Sequence, residues 1–279
     1  MTYHWGLLKS IFMRYRCLFL FLAVWIVAGC EISRPDDPAP ELPPIEGLKL
    51  SDLKDDFPSA DLESLMSFRV LTYTVVPDSV DKLKEIIDSL SHREVRAVNK
   101  GAFSANGFAI GVSFFEEGRK IAQKLRRMGA TRTGQARLMF LADKTEALSR
   151  TFLQGTEVVH YSKSANSTAA ITPAQGFLGW IFSAKPDPRF RGMAQVELFP
   201  AVWQPGIENI RLAMGKDAID YQPIRAGQVL TRVEEGGVIL LGPARSVPEE
   251  TTLDKMLFFL PGKRPKIQFF VIICDSAGI

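Results

Sequence analysis

FRVLTYTVVPDSVDKLKEIIDSL, residues 68–90, decides how the body of this 279-residue chain is read. Phe68–Val76 is rich in β-branched and aromatic residues, the composition of a strand. Pro77-Asp78-Ser79 stops that strand and offers caps for a helix. Val80, Leu83, Ile86, Ile87 and Leu90 then recur at helical spacing, so the stretch predicts a strand, a tight turn and an amphipathic helix.

Working outward, Glu94–Val98 reads as a second strand and Gly107–Val112 as a third. Ser113 and Glu116 have the spacing of a capping box, and the helix they would open buries Ile121, Leu125 and Met128 and ends at Gly129. Gln135–Ala142 supplies a last strand. The order β-α-β-β-α-β is that of a split βαβ (ferredoxin-like) unit, which we place at 49–150. Asp143–Leu153 is expected to be helical or irregular. From Thr156 on, apolar runs follow one another between Gly, Pro and polar turns: TEVVHYS, FLGWIFSA, AQVELFPAVW, NIRLAM, GQVLTRV, GVILLG and IQFFVIIC. AQVELFPAVW alternates Val196 and Leu198 with Gln195 and Glu197, which predicts one buried face. IQFFVIIC does not alternate and predicts a central strand covered on both faces. The expected fold class is α+β: a small split βαβ domain, then a β-rich domain over 151–279.

The opposite end of the chain has a different texture. Lys9, Arg14 and Arg16 lie in an acid-free segment before the apolar run CLFLFLAVWIVAGC, residues 17–30. The run is close to a signal h-region in length and short of the ~20 residues that cross a bilayer. Its end, Val27-Ala28-Gly29-Cys30, resembles the lipobox of bacterial lipoproteins. The resemblance implies removal of residues 1–29 as a signal peptide by cleavage between Gly29 and Cys30. It also implies lipidation of Cys30, with the membrane as a partner through that lipid. Glu31 stands where the inner-membrane retention signal has Asp, so the resemblance points to an outer-membrane lipoprotein facing the periplasm, with the inner membrane as the alternative. An uncleaved short anchor is the other reading of the same run. Residues 30–48, with the proline-rich EISRPDDPAPELPPIEGL, read as an extended linker or as a disordered leader. Ser51–Leu65 has a helix-like pattern broken by Pro58.

Of 34 basic residues, Lys9, Arg14 and Arg16 belong to the segment expected to be removed, which leaves 31 against 31 acidic ones. A neutral mature chain argues against a nucleic-acid partner. Cys274 is then the one cysteine left unmodified. It can form no intramolecular disulfide and no multi-cysteine zinc site, and its apolar run predicts a buried, inert thiol.

Catalytic signatures are missing from the sequence. His92 and His160 are isolated, and no GxSxG, HExxH or glycine-rich phosphate loop occurs. Glu116-Glu117, Glu234-Glu235 and Glu249-Glu250 are adjacent pairs that suit a helix first turn or turn flanks. We therefore expect no catalytic residue, no metal and no cofactor. Arg119, Lys120, Lys124, Arg126, Arg127, Arg132 and Arg137 fall in an acid-free stretch. Lys120, Lys124 and Arg127 share the helix face opposite Ile121, Leu125 and Met128, and with Arg132 they form a candidate surface for an anionic partner or headgroup. An ordinary solvated helix face is the alternative.

Two later stretches are similar to secretins, the outer-membrane ring proteins. They are Gln195-Val196-Glu197-Leu198-Phe199-Pro200-Ala201-Val202 and Val233-Glu234-Glu235-Gly236-Gly237-Val238-Ile239-Leu240-Leu241-Gly242-Pro243. Pro243 stands where that family has glycine. The likeness implies subunit packing through ring-building modules and no active site, hence a scaffold that contacts envelope proteins or copies of itself. A second expectation is a carbohydrate-binding protein or hydrolase using Trp180, Phe190, Phe199 and Trp203.

Overall fold

The computed structural model describes residues 65–278 except 92–93, 141–143, 174, 205–220 and 250–251. The signal segment, Cys30, the proline-rich linker, the Ser51 helix pattern, His92 and the NIRLAM stretch lie outside the described residues. In chain order the elements are β1 (Met66–Val75), α1 (Val80–Asp88), β2 (Arg96–Ala97), α2 (Lys100–Ala105), β3 (Phe108–Ser113), α3 (Gly118–Arg127) and β4 (Thr131–Phe140). There follow β5 (Thr145–Ala147), β6 (Thr151–Leu153), β7 (Val159–Ser164), β8 (Ser167–Ile171), β9 (Gly176–Pro186), β10 (Met193–Trp203) and β11 (Gln222–Pro223). The last are β12 (Val229–Glu234), β13 (Val238–Pro243), α4 (Leu253–Phe258), β14 (Phe259–Leu260) and β15 (Lys266–Ala277). The fold is mixed and strand-rich with antiparallel sheets, an α+β protein.

Sheet A runs β3-β13-β15-β1-β4, and sheet B runs β2-β12-β10-β9-β5 with β11 and β6 at its margins. This order corrects the expected domain boundary at residue 150. β1 pairs with β15 along its whole length, from Val75 opposite Ile267 to Met66 opposite Ala277, so the last strand completes the first sheet. The described residues accordingly form one compact unit. The second strand of the expected β-α-β-β-α-β unit is only β2. It leaves its sequence neighbours and pairs with β12 in sheet B. The capping box does not form either. Ser113 stays in the ladder opposite Val238, and its buried hydroxyl has no partner. The 143–153 stretch forms β5 and β6, both on β9, rather than a helix.

Alternation along the strands sets the layers. Phe68 of β1 meets Phe182 of β9 at 4.9 Å between ring centroids, and Phe108 of β3 meets Trp180 at 4.9 Å, so these rings fill the space between the sheets. The other face of sheet A carries α1. Gly111 allows that approach, since a Cβ there would lie 2.7 Å from the Ile87 carbonyl oxygen. β15 is thus covered on both faces, and Phe269, Phe270, Val271, Ile272 and Cys274 are all buried, which is why its sequence is continuously apolar. Ser79 sits at the start of α1, but its hydroxyl donates to the Met128 carbonyl at 3.4 Å and ties α1 to the end of α3. Gly129, at φ 82°, then turns the chain into β4.

Cys274 is buried as the sequence predicts. Burial, reinforced by the charges of Glu235 and Asp275, pushes its thiol up to about 12. Thiolate is the reactive form. Alkylation of native protein near pH 8 is therefore expected to leave Cys274 unmodified, and denaturant is expected to open it to reaction, as mass spectrometry would read. Labelling at the same rate with and without denaturant would contradict this burial.

Candidate functional site

Helix α3 places Ile121 and Leu125 inward, with Met128 buried just beyond it. Lys120, Lys124 and Arg127 are consequently exposed, as helical spacing predicts. Lys124 and Arg127 meet Lys82, Glu85 and Ile86 of α1 across a groove of about 430 Å³ whose floor includes Met128. Lys120 and Arg132 lie outside the groove lining. Arg132 is exposed on β4, where it donates to Gln135 Oε1 at 3.3 Å. Lys124 donates to Ser89 Oγ at 3.1 Å. Arg137 lies 4.0 Å from Asp275, which Arg69 already binds at 2.6 Å. Among the described residues, Arg119, Lys120, Lys124, Arg126 and Arg127 make no ion pair. Lys124, Arg126 and Arg127 occupy the last turn, where positive charge suits the helix dipole. The chain then enters β4, the outermost strand of sheet A. It pairs only with β1 among the described strands and is exposed over Thr131–Thr133 and Gln135–Arg137. A bulge at Thr133 breaks its register.

The outer face of sheet B holds a larger concavity of about 660 Å³. Cross-strand pairing builds it in two rows. Thr145, Ser183, Glu197, Leu230 and Arg96 stand side by side on β5, β9, β10, β12 and β2. Lys185, Gln195 and Arg232 form the next row. Arg232 is held from several sides. Its Nε lies 2.8 Å from Asp187 Oδ2, one terminal nitrogen lies 3.7 Å from Glu94, and the guanidinium sits 5.5 Å from the Phe190 ring centroid. The Asp187 side chain is fully buried. Burial acts to raise its pKa, but the Arg189 backbone N–H, the Gln195 side chain and the Arg232 and Arg189 charges outweigh it. The carboxyl therefore lies below its ordinary value. Glu197 accepts from the Gln228 amide. Only the alternation of β10 hinted at this face, because its rows depend on strand register.

The aromatic residues do not build a sugar cleft. Trp180 and Trp203 are both buried, Trp180 in the core between the sheets and Trp203 in a separate cluster with Ile181 and Ala201. Phe190 is exposed and Phe199 half-buried. His160 is exposed on the β7–β8 hairpin. Glu234 accepts from the Phe115 backbone N–H, and Glu249 pairs with Arg245. Among the described residues no group of three or more His, Cys, Asp or Glu could hold a metal ion, and no helix is long and apolar enough to cross a membrane. No family model, curated protein or solved structure matches this chain.

Proposed function

We infer that the protein is a non-enzymatic, lipid-anchored envelope protein that serves as a scaffold or assembly module. Lipidation at Cys30 would hold it at the outer membrane facing the periplasm, with the body carried on the 30–48 linker. The observation that carries the scaffold reading is the cation strip of α3, without an ion pair among the described residues, running into β4, which pairs only with β1 among the described strands. An edge strand presents free backbone donors and acceptors to an added strand, and the neighbouring cations select acidic sequence. The partner is therefore an acidic envelope protein segment or a second copy of this chain. Ring assembly, as the secretin likeness implies, belongs to the same proposal, with β4 and α3 as the subunit contact. The burial of Trp180 and Trp203 counts against the carbohydrate-binding alternative that used those aromatic residues.

The test is native mass analysis of detergent-extracted protein after crosslinking. A defined assembly is expected. A Lys124→Glu/Arg127→Glu/Arg132→Glu variant is expected to shift it to monomer, because reversing charge at an interface costs several kcal/mol. Cys30→Ala is expected to release the protein from membranes. A monomer without crosslinked partners in the unsubstituted protein would sink the scaffold reading. Membrane retention of the Cys30 variant would sink the anchor.

A further inference from the structure

We propose that the outer face of sheet B is a binding site for an elongated anionic saccharide, one whose acidic groups are spaced along a chain of hydroxyl-bearing rings. The site is independent of the α3–β4 surface and extends the scaffold reading without resting on it.

The placement of charge comes first. Arg96 on β2, Arg232 on β12 and Lys185 on β9 all line the concavity. Three strand intervals separate β2 from β9, which at ~4.8 Å each spreads the cations over ~14 Å. That span suits anionic groups on successive or alternate sugar rings better than one compact anion. Arg96 and Lys185 have no ion-pair partner among the described residues, so their charge is available. Arg232 is different: the buried Asp187 and the half-buried Glu94 compensate its charge and fix its guanidinium, and the Phe190 ring backs it. Held in this way it loses little freedom on binding and offers fixed N–H donors between the two free cations.

The groups between the cations then choose the class of ligand. Thr145, Ser183, Gln195 and Glu197 offer hydroxyl, amide and carboxylate atoms, which pair with sugar hydroxyls. Glu197, with one oxygen held by Gln228, adds an acceptor that repels a second acid at that point and admits a hydroxyl. Leu230 is the exposed apolar patch in this row, and it suits the C–H face of a ring. A peptide fits worse. β10, at the middle of this face, is flanked by β9 and β12, so its backbone cannot accept an added strand. Among the described residues the concavity lining is mostly polar, without the apolar pocket that anchors peptide side chains.

The experiment is calorimetric titration of the detergent-solubilised full chain with trigalacturonate, maltotriose and a pentaglutamate peptide. Arg96 and Lys185 are both exposed, so replacing them leaves the core untouched. Trigalacturonate is expected to bind, and Arg96→Gln and Lys185→Gln are each expected to weaken it about tenfold, the value of one charge-assisted hydrogen bond. Lys263→Gln, an exposed charge outside the concavity lining, is expected to leave the affinity unchanged. Absence of trigalacturonate binding overturns the proposal. So does equal binding of maltotriose, tighter binding of pentaglutamate, or indifference to both the Arg96 and Lys185 substitutions.

Discussion

Trp180→Ala is expected to lower the free energy of unfolding by about 3–5 kcal/mol, the cost of emptying a large aromatic site in a packed core. Trp180 is completely buried at the centre of β9. Its ring meets Phe108 at 4.9 Å and Phe258 at 6.1 Å, and Phe258 in turn reaches Phe270 of β15. The indole therefore links both sheets and α4. The next strand position, Gly179, packs so tightly that a Cβ there would lie 1.9 Å from the Ser149 carbonyl oxygen, so β9 cannot shift to fill the void. Trp180→Phe should behave differently. The indole Nε1 is buried without a hydrogen-bond partner, and an unsatisfied buried donor costs about 1–3 kcal/mol. Phenylalanine removes that donor and leaves a smaller cavity, so the two effects offset and the net change is expected to stay below about 1.5 kcal/mol. Urea denaturation followed by circular dichroism measures both variants. A Phe variant as unstable as the Ala variant would mean that the indole N–H has a partner after all.

The contrast between β10 and β15 shows what a single sequence exposes. β10 alternates because one face looks at sheet A and the other at solvent, and its pattern predicts Val196 and Leu198 as buried. β15 has no period because α1 and sheet B cover opposite faces, and its run predicts burial without telling which strands flank it. The flanking strands are β1 and β13, and β1 lies about two hundred residues away in sequence. Such pairing is chosen by the fit of whole faces and leaves no local mark. The expected boundary near 150 failed for this reason. Helix α2 was missed because it is short and holds Gly101. Its signal was Asn99, whose side chain accepts from the Ala102 N–H at 2.9 Å. The candidate sites divide in the same way. Lys124 and Arg127 are legible from helical spacing alone. The approach of Lys82 depends on how α1 packs beside α3, and the Lys185-Gln195-Arg232 row depends on register across β9, β10 and β12.

Asp254→Ala should have an effect of similar size, about 3–5 kcal/mol, by a polar route. Asp254 is fully buried in α4. Its Oδ2 accepts from Arg245 Nε at 2.9 Å, and its Oδ1 accepts from the Thr252 hydroxyl at 2.6 Å and the Lys255 N–H at 3.0 Å. Arg245 also donates to the Ala105 carbonyl at the end of α2. Beside it the buried Asn106 side chain clamps β7, donating to the Ser162 carbonyl and accepting from the Ser162 N–H, each at 2.8 Å. Gly107 follows at φ 75°, where a Cβ would meet Asp254 Oδ2 at 2.1 Å. Removing the carboxylate leaves Arg245 partly buried with only the rim residue Glu249 and a backbone carbonyl to hold it. Arg245→Met combined with Asp254→Ala is therefore expected to lose less than the two single changes added together. The readout is again the denaturation midpoint, and strict additivity would show that the pair is not coupled. The consequence reaches the saccharide site. α2 follows β2 directly, so loosening this cluster frees the segment that carries Arg96. Binding by an Asp254→Ala protein that remains folded should then weaken even though Asp254 itself lies outside the concavity lining.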